Sequence, residues 1–289
     1  MAEWLEVVPE EIRPPLVKLG GYDNKLILND DAHTLFQGLV GDWTGSAINV
    51  LCAAKFYSGG NMDANVEGFN AALSEFAVPF GQGQLPYLTA QKLGMAADIA
   101  NNKKPPYLPW GKCAHVKIAM YFTVHEVYHF HQQHRDDPVA YLMACTAWGI
   151  GTYQRTIDKA DVLIMSDEHK DLAYRAGKCF LKAHELLRHL AVDDDLLLWR
   201  ERPKHHQWDH SLDFMKETGI NPNAQAVYMD EDWMGKLRDS TAMGHGSTGA
   251  AITGMRRYVD KTAELIHSSY MQHNEPLPEP RKARNVCST

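Results

Sequence analysis

Apolar residues in this chain recur mostly at three- and four-residue spacing, the period of a helix face buried on one side. Leu35, Leu39, Trp43, Ala47, Val50 and Leu51 follow that period and predict a helix from about Asp31 to Tyr57, ended by Ser58-Gly-Gly60. A second helix is predicted from about Asn65 to Phe76, before Pro79 and a glycine-containing loop. Asn101-Asn-Lys-Lys-Pro-Pro-Tyr-Leu-Pro109 is the clearest loop signal, because paired prolines forbid a continuing helix.

Three long helices follow. The first is predicted from about Gly111 to His134. Asp136-Asp-Pro138 then combines an aspartate N-cap with proline at the first helical position. The helix it starts is predicted to run to about Ile164. Ser166-Asp-Glu168 opens the next, which ends near the Asp193-Asp-Asp195 cluster. A shorter helix runs from Arg202-Pro203 to about Thr218, Asn221-Pro222-Asn223 makes a turn, and two more helices are predicted near 229–243 and 249–272. Long helices joined by short turns imply a mainly α, multi-helix bundle. Lys25-Leu-Ile-Leu28 has room for one brief buried strand, too short for periodicity to separate strand from helix. The expected organisation is an N-terminal arm over 1–22, one helical domain over 23–274, and a proline- and charge-rich tail over 275–289 expected to be disordered.

Composition narrows the class. Hydrophobic residues make up 45% and charged residues 22% of the 289, values of an ordinary globular core. No stretch reaches the roughly 20 apolar residues of a membrane span. The acidic start Met1-Ala-Glu-Trp-Leu-Glu does not read as an export signal, so an intracellular location, nuclear or cytoplasmic, is expected. Cys52, Cys113, Cys145, Cys179 and Cys287 form no Cys-x-x-Cys pair, which fits reduced thiols better than a disulfide framework or a thiolate zinc site. The net charge of -7 argues against strong binding to DNA, where phosphate contacts supply most non-specific affinity.

Two constellations carry candidate chemistry. In His125-Glu-Val-Tyr-His129, imidazoles four apart on a helix share a face, so His125 and His129 could bind one Zn2+ while Glu126 acts as base on a water. A third ligand is not evident. His131 and His134 lie close, and the next glutamate is Glu168 on another predicted helix. The bland reading is a histidine-rich helix packed through Tyr121, Phe122, Tyr128 and Phe130.

The second constellation is split along the chain. Asp30-Asp-Ala-His33-Thr-Leu-Phe-Gln-Gly38-Leu-Val40 is followed much later by Arg202-Pro-Lys-His-His206, His210, and Tyr228-Met-Asp-Glu-Asp-Trp-Met-Gly235. A carboxylate before an early helix and another late in the chain could hold Mg2+ for phosphodiester chemistry. Equally, Asp30 or Asp31 could cap the following helix, and Asp230, Glu231 and Asp232 could be an acidic first turn.

In order and spacing these segments resemble eukaryotic DNA transposases with a ribonuclease-H-like core and a large helical insertion, the group that includes the Kyakuja–Dileera–Zisupton type. The resemblance runs from about residue 23 to 265, with about 60–200 matching the insertion. It implies that Asp30 and Glu231 are catalytic Mg2+ ligands. It also implies that His33, His205, His206 and His210 shape the site, and that Lys204, His205 and His206 face DNA. The strand at Lys25–Asn29 would then be a remnant of the ribonuclease-H-like core. An active chain would be a Mg2+-dependent strand transferase or nuclease. The family's first catalytic aspartate lies far upstream of its second, and only 29 residues precede Asp30, so the chain is expected to be incomplete or inactive alone.

Further along, Ser240-Thr-Ala-Met-Gly-His-Gly-Ser-Thr-Gly249 reads as a turn that could also cradle an anion. Arg256 and Arg257, with Lys261, form a basic face that could touch DNA phosphate. Besides the transposase-derived reading there remain a zinc-dependent hydrolase or metallopeptidase and a non-catalytic helical interaction module.

Overall fold

In the computed structural model, the described residues are 30, 32–80, 85–161 and 163–225. The segment Ala32–Val40 is π-helical and runs directly into α1 (Gly41–Ala53). Next come α2 (Met62–Ala77), the single turn α3 (Ala90–Leu93), α4 (Cys113–Gln133), α5 (Pro138–Lys159), α6 (Asp167–Asp193) and α7 (Pro203–Thr218). No strand occurs among the described residues; Ile164 and Ile220 form one isolated antiparallel bridge. The mainly α bundle expected from periodicity is the architecture observed. The expected strand at Lys25–Asn29, the arm, the tail and the helices near 229–243 and 249–272 lie outside the described residues.

The long helices start where the capping signals stand. Asp137 accepts the Val139 amide at α5, with Pro138 in the first turn, and Ser166 accepts the His169 amide at α6. Helices α4 to α7 pack each against the next, most extensively α5 on α6. Their close approach is set at Gly149, where an added Cβ would fall 2.8 Å from the Ala176 carbonyl oxygen and the Phe180 nitrogen. Only glycine fits there.

The predicted end of α5 needs correction. The helix stops at Lys159, not Ile164, because Asn221 from beyond α7 caps it: its side-chain amide donates to the carbonyls of Ile157 (3.0 Å) and Asp161 (2.8 Å). The chain then turns extended, and the Met165 amide donates to Gly219. These partners lie about 60 residues away, beyond the reach of a local pattern.

Helix α1 is buried on nearly every side, including its polar residues Asp42, Thr44, Ser46 and Asn49. Among the described residues, the side-chain polar atoms of Thr44 and Asn49 find no hydrogen-bond partner, whereas Ser46 and the indole of Trp43 do. Trp43 donates its indole N–H to Thr146 Oγ1 (2.8 Å), and Ser46 Oγ accepts the Trp199 amide (3.0 Å). Trp199 holds a left-handed backbone (φ 51°), rare for a bulky residue, and is sustained by that bond and complete burial. Among the described helices, none is long and apolar enough to cross a membrane.

Candidate functional site

Two segments of the split constellation meet, Asp30–Val40 and Arg202–His206, while Tyr228–Gly235 lies outside the described residues. Helix α7 packs against the π-helical segment, and the Lys204 ammonium donates to the His33 carbonyl at 2.7 Å, across 171 positions of sequence. The lysine stem lies over Gly38: a Cβ on Gly38 would come within 2.6 Å of Lys204 Cδ. The glycine in the Gly38-Leu-Val stretch is therefore explained by close packing of the lysine. Four residues past Gly38, in the first turn of α1, the buried Asp42 carboxylate pairs with Arg202, at 2.6 Å to a terminal guanidinium nitrogen and 2.5 Å to Nε.

The start of α7 is built by its own sequence. Arg202 occupies the N-cap and its amide donates to Nδ1 of His205, the third helical residue, while Pro203 sits at the first position. This local bond turns the His205 ring inward, against His184 of α6, with ring centroids 4.7 Å apart. Both rings are buried, and Nε2 of each has no hydrogen-bond partner among the described residues. Burial pushes the His184 imidazole down to about 3, helped by nearby His205 and Arg188, and burial likewise lowers His205. Both rings are neutral at pH 7.

Burial acts oppositely on Asp42. Desolvation raises its carboxyl above the usual range, while Arg202, then Arg200 and Lys204, pull it back. Asp30 pairs with His33 Nδ1, and both side chains reach solvent, at 27% and 44% exposure. Of the residues expected to face DNA, Lys204 donates to the His33 carbonyl, and His205 lies buried beside His184. His206 and His210 are exposed on α7, with Nε2 atoms 3.0 Å apart. Glu231, Arg256 and Arg257 lie outside the described residues.

The histidine motif on α4 forms a separate locality. His125 and His129 stand side by side, their Nε2 atoms 3.1 Å apart. Glu126 turns toward the protein, within 3.0 Å of His125 Nδ1 and beside the half-buried Tyr57, whose hydroxyl is enclosed. The Tyr57 hydroxyl is raised far above its ordinary range, by burial first and the Glu126 charge second. His134 stacks on Phe130 and bonds its carbonyl, and His131 meets the edge of Tyr141. Among the described residues, no three His, Cys, Asp or Glu side chains converge on a point that a metal could occupy. Beside His125 opens an apolar cavity of about 700 Å³, walled by Phe76, Phe80, Tyr121, Tyr128 and Trp148, with Arg155 at its edge.

Asp42 and His184 escaped the sequence reading. Their only sequence signals were an acid at the end of the apolar run Leu39-Val-Gly-Asp-Trp43 and a histidine one turn after Phe180 on the apolar face of α6. Comparisons with family models, with curated proteins and with solved structures find no match to this chain.

Proposed function

We propose that this chain derives from the later catalytic region of a mobile-element DNA transposase with a ribonuclease-H-like core and helical insertion, acting inside the cell on DNA. The observation that carries the reading is the adjacency of its two motif segments. Asp30-x-x-His33 and Arg202-Pro-Lys-His-His206 are joined by the Lys204–His33 bond after an all-helical excursion. A helical insertion that leaves a core and returns to it brings such segments back together.

Asp30 suits one half of a magnesium site. Its carboxylate is accessible and supplies the hard oxygen that Mg2+ prefers, an ion usually held by one or two carboxylates and several waters. Glu231 is the proposed second carboxylate. The chemistry the ion supplies when bound is activation of the attacking oxygen and stabilisation of the leaving one. His33 orients Asp30, three residues before it, and Lys204 donates to the carbonyl of His33. His206, Arg256 and Arg257 are the proposed DNA contacts. The net charge of -7 predicts weak binding, best measured at low salt.

The decisive measurement is binding of Mn2+, a magnesium surrogate, to the full chain by electron paramagnetic resonance. One bound ion is expected, lost in Asp30→Asn and in Glu231→Gln, with plasmid nicking in Mg2+ or Mn2+ following the same pattern. Binding untouched by either substitution sinks the magnesium reading.

A second reading has its own observation. The His125–His129 spacing of 3.1 Å, beside an apolar cavity, suits a zinc hydrolase with Glu126 as base. It requires a third ligand and release of Glu126 from the Tyr57 side. Zinc retained after dialysis and lost in His125→Ala, with peptide hydrolysis, would favour it. A chain lacking both metal dependences acts as a helical interaction module.

A further inference from the structure

A second histidine pair has a different setting from the one on α4. We propose that His206 and His210, on the exposed face of α7, form a two-imidazole chelate for a borderline first-row ion such as Zn2+, Ni2+ or Cu2+. The proposal does not depend on the transposase reading.

The first argument is distance. Two nitrogens that each lie 2.0–2.1 Å from one ion, at an angle between square and tetrahedral, are about 2.9–3.4 Å apart. The Nε2 atoms of His206 and His210 are 3.0 Å apart, with ring centroids at 4.3 Å. The two Nε2 atoms therefore already stand at the separation that shared coordination of one ion requires.

The second argument is rigidity. A chelate binds well when its two arms are held in place before the ion arrives. Between the histidines, Trp208 is fully buried, with its ring edge-on to Tyr153 and Phe180. Two residues past His210, Leu212 packs onto Gly177 of α6. Lys178 of α6 ties down the same helix through Asp209 (2.5 Å) and Asp213 (2.8 Å). The backbone under both imidazoles is thus clamped from one turn to the next.

The third argument is charge and ligand type. Asp209 and Asp213 stand three positions after His206 and His210, neighbours on the helix surface. They add negative charge near the incoming cation while remaining bound to Lys178. Imidazole nitrogen favours Zn2+, Ni2+ and Cu2+ over Mg2+ or Ca2+. With two protein ligands, the remaining positions on the ion are open to water or an exchangeable ligand.

The test uses the full chain carrying His125→Ala and His129→Ala, which removes the α4 pair. Titrating Ni2+ or Cu2+ by calorimetry is expected to find a saturable site. Further substitution of His206→Ala, or separately His210→Ala, is expected to weaken it by roughly 10²-fold, as a chelate becomes a single-ligand contact. Both side chains are exposed, so an unchanged circular-dichroism spectrum and melting temperature without metal will confirm that the variants fold. For Cu2+, the nitrogen hyperfine pattern should report two imidazoles before the second substitution and fewer after it. Affinity and spectrum unaltered by either substitution would overturn the proposal. So would a response to Mg2+ equal to that for Ni2+.

Discussion

Asp42 and Arg202 lie 160 positions apart and form an ion pair whose carboxylate is 1% exposed and whose guanidinium is partly open to solvent. The pair joins α1, the most enclosed helix, to the first turn of α7, and so fixes how the two motif segments meet. Its energetics are asymmetric. Desolvating a carboxylate is costly, and Arg202 offsets that cost at short range.

Arg202→Met is therefore expected to destabilise the protein by about 2–4 kcal/mol, toward the low end for a buried pair because the guanidinium is partly hydrated. Without Arg202, the pull of burial on Asp42 is less opposed, and its carboxyl rises further. A carboxyl raised in the folded state favours folding below its unfolded value and loses that contribution as pH rises through the folded value. The deficit of Arg202→Met should thus shrink toward pH 4 and be largest at neutral pH. Urea melts at both pH values measure it, and a deficit that grows on acidification contradicts the assignment.

His184 imposes the reverse dependence. Its imidazole sits near 3 in the folded protein and at 6.5 when unfolded, so between those values the unfolded chain binds the extra proton. Its contribution is complete above 6.5 and falls as pH drops toward 3. Stability should decline by about 1.4 kcal/mol per pH unit for each such group in that window. His205, lowered as well, adds to the slope. His184→Leu is expected to flatten the profile between pH 6 and 4 by close to one proton; an unchanged slope would place the acid sensitivity elsewhere.

Gly149→Val puts a branched side chain where α5 touches the α6 backbone. Neither the Ala176 carbonyl nor the Phe180 nitrogen can move without separating the helices. The expected loss is about 3 kcal/mol or more, the upper range for overpacking. Thermal denaturation followed at 222 nm checks it. Gly60→Ala, in open space, is the control and should melt close to the parent.

Asn221→Leu should release the end of α5. The side chain donates to two carbonyls there and accepts the Asn223 amide at 3.0 Å. Removing those bonds leaves buried polar groups unpaired, for an expected loss of about 2–4 kcal/mol. Hydrogen exchange should quicken at Met165 and Asn221, whose amides hold the connection to Gly219 and Leu163. Protection unchanged at both positions contradicts the capping role.

What the sequence determined by itself was local. Apolar spacing located the helices, and capping chemistry at Asp137, Pro138, Ser166 and Pro203 placed their starts, because each effect acts within a turn or two of chain. The same locality explains the misjudged end of α5, decided by Asn221 some 60 residues away. The candidate chemistry divided along that line. His125 with His129 was visible as a pair because four residues bring side chains to one face of a helix. That Glu126 turns toward Tyr57, that His205 is drawn into the core against His184, and that Lys204 reaches His33 depended on packing between helices. Tertiary structure alone decides such matters, because burial and partner choice depend on distances between segments that sequence order does not encode.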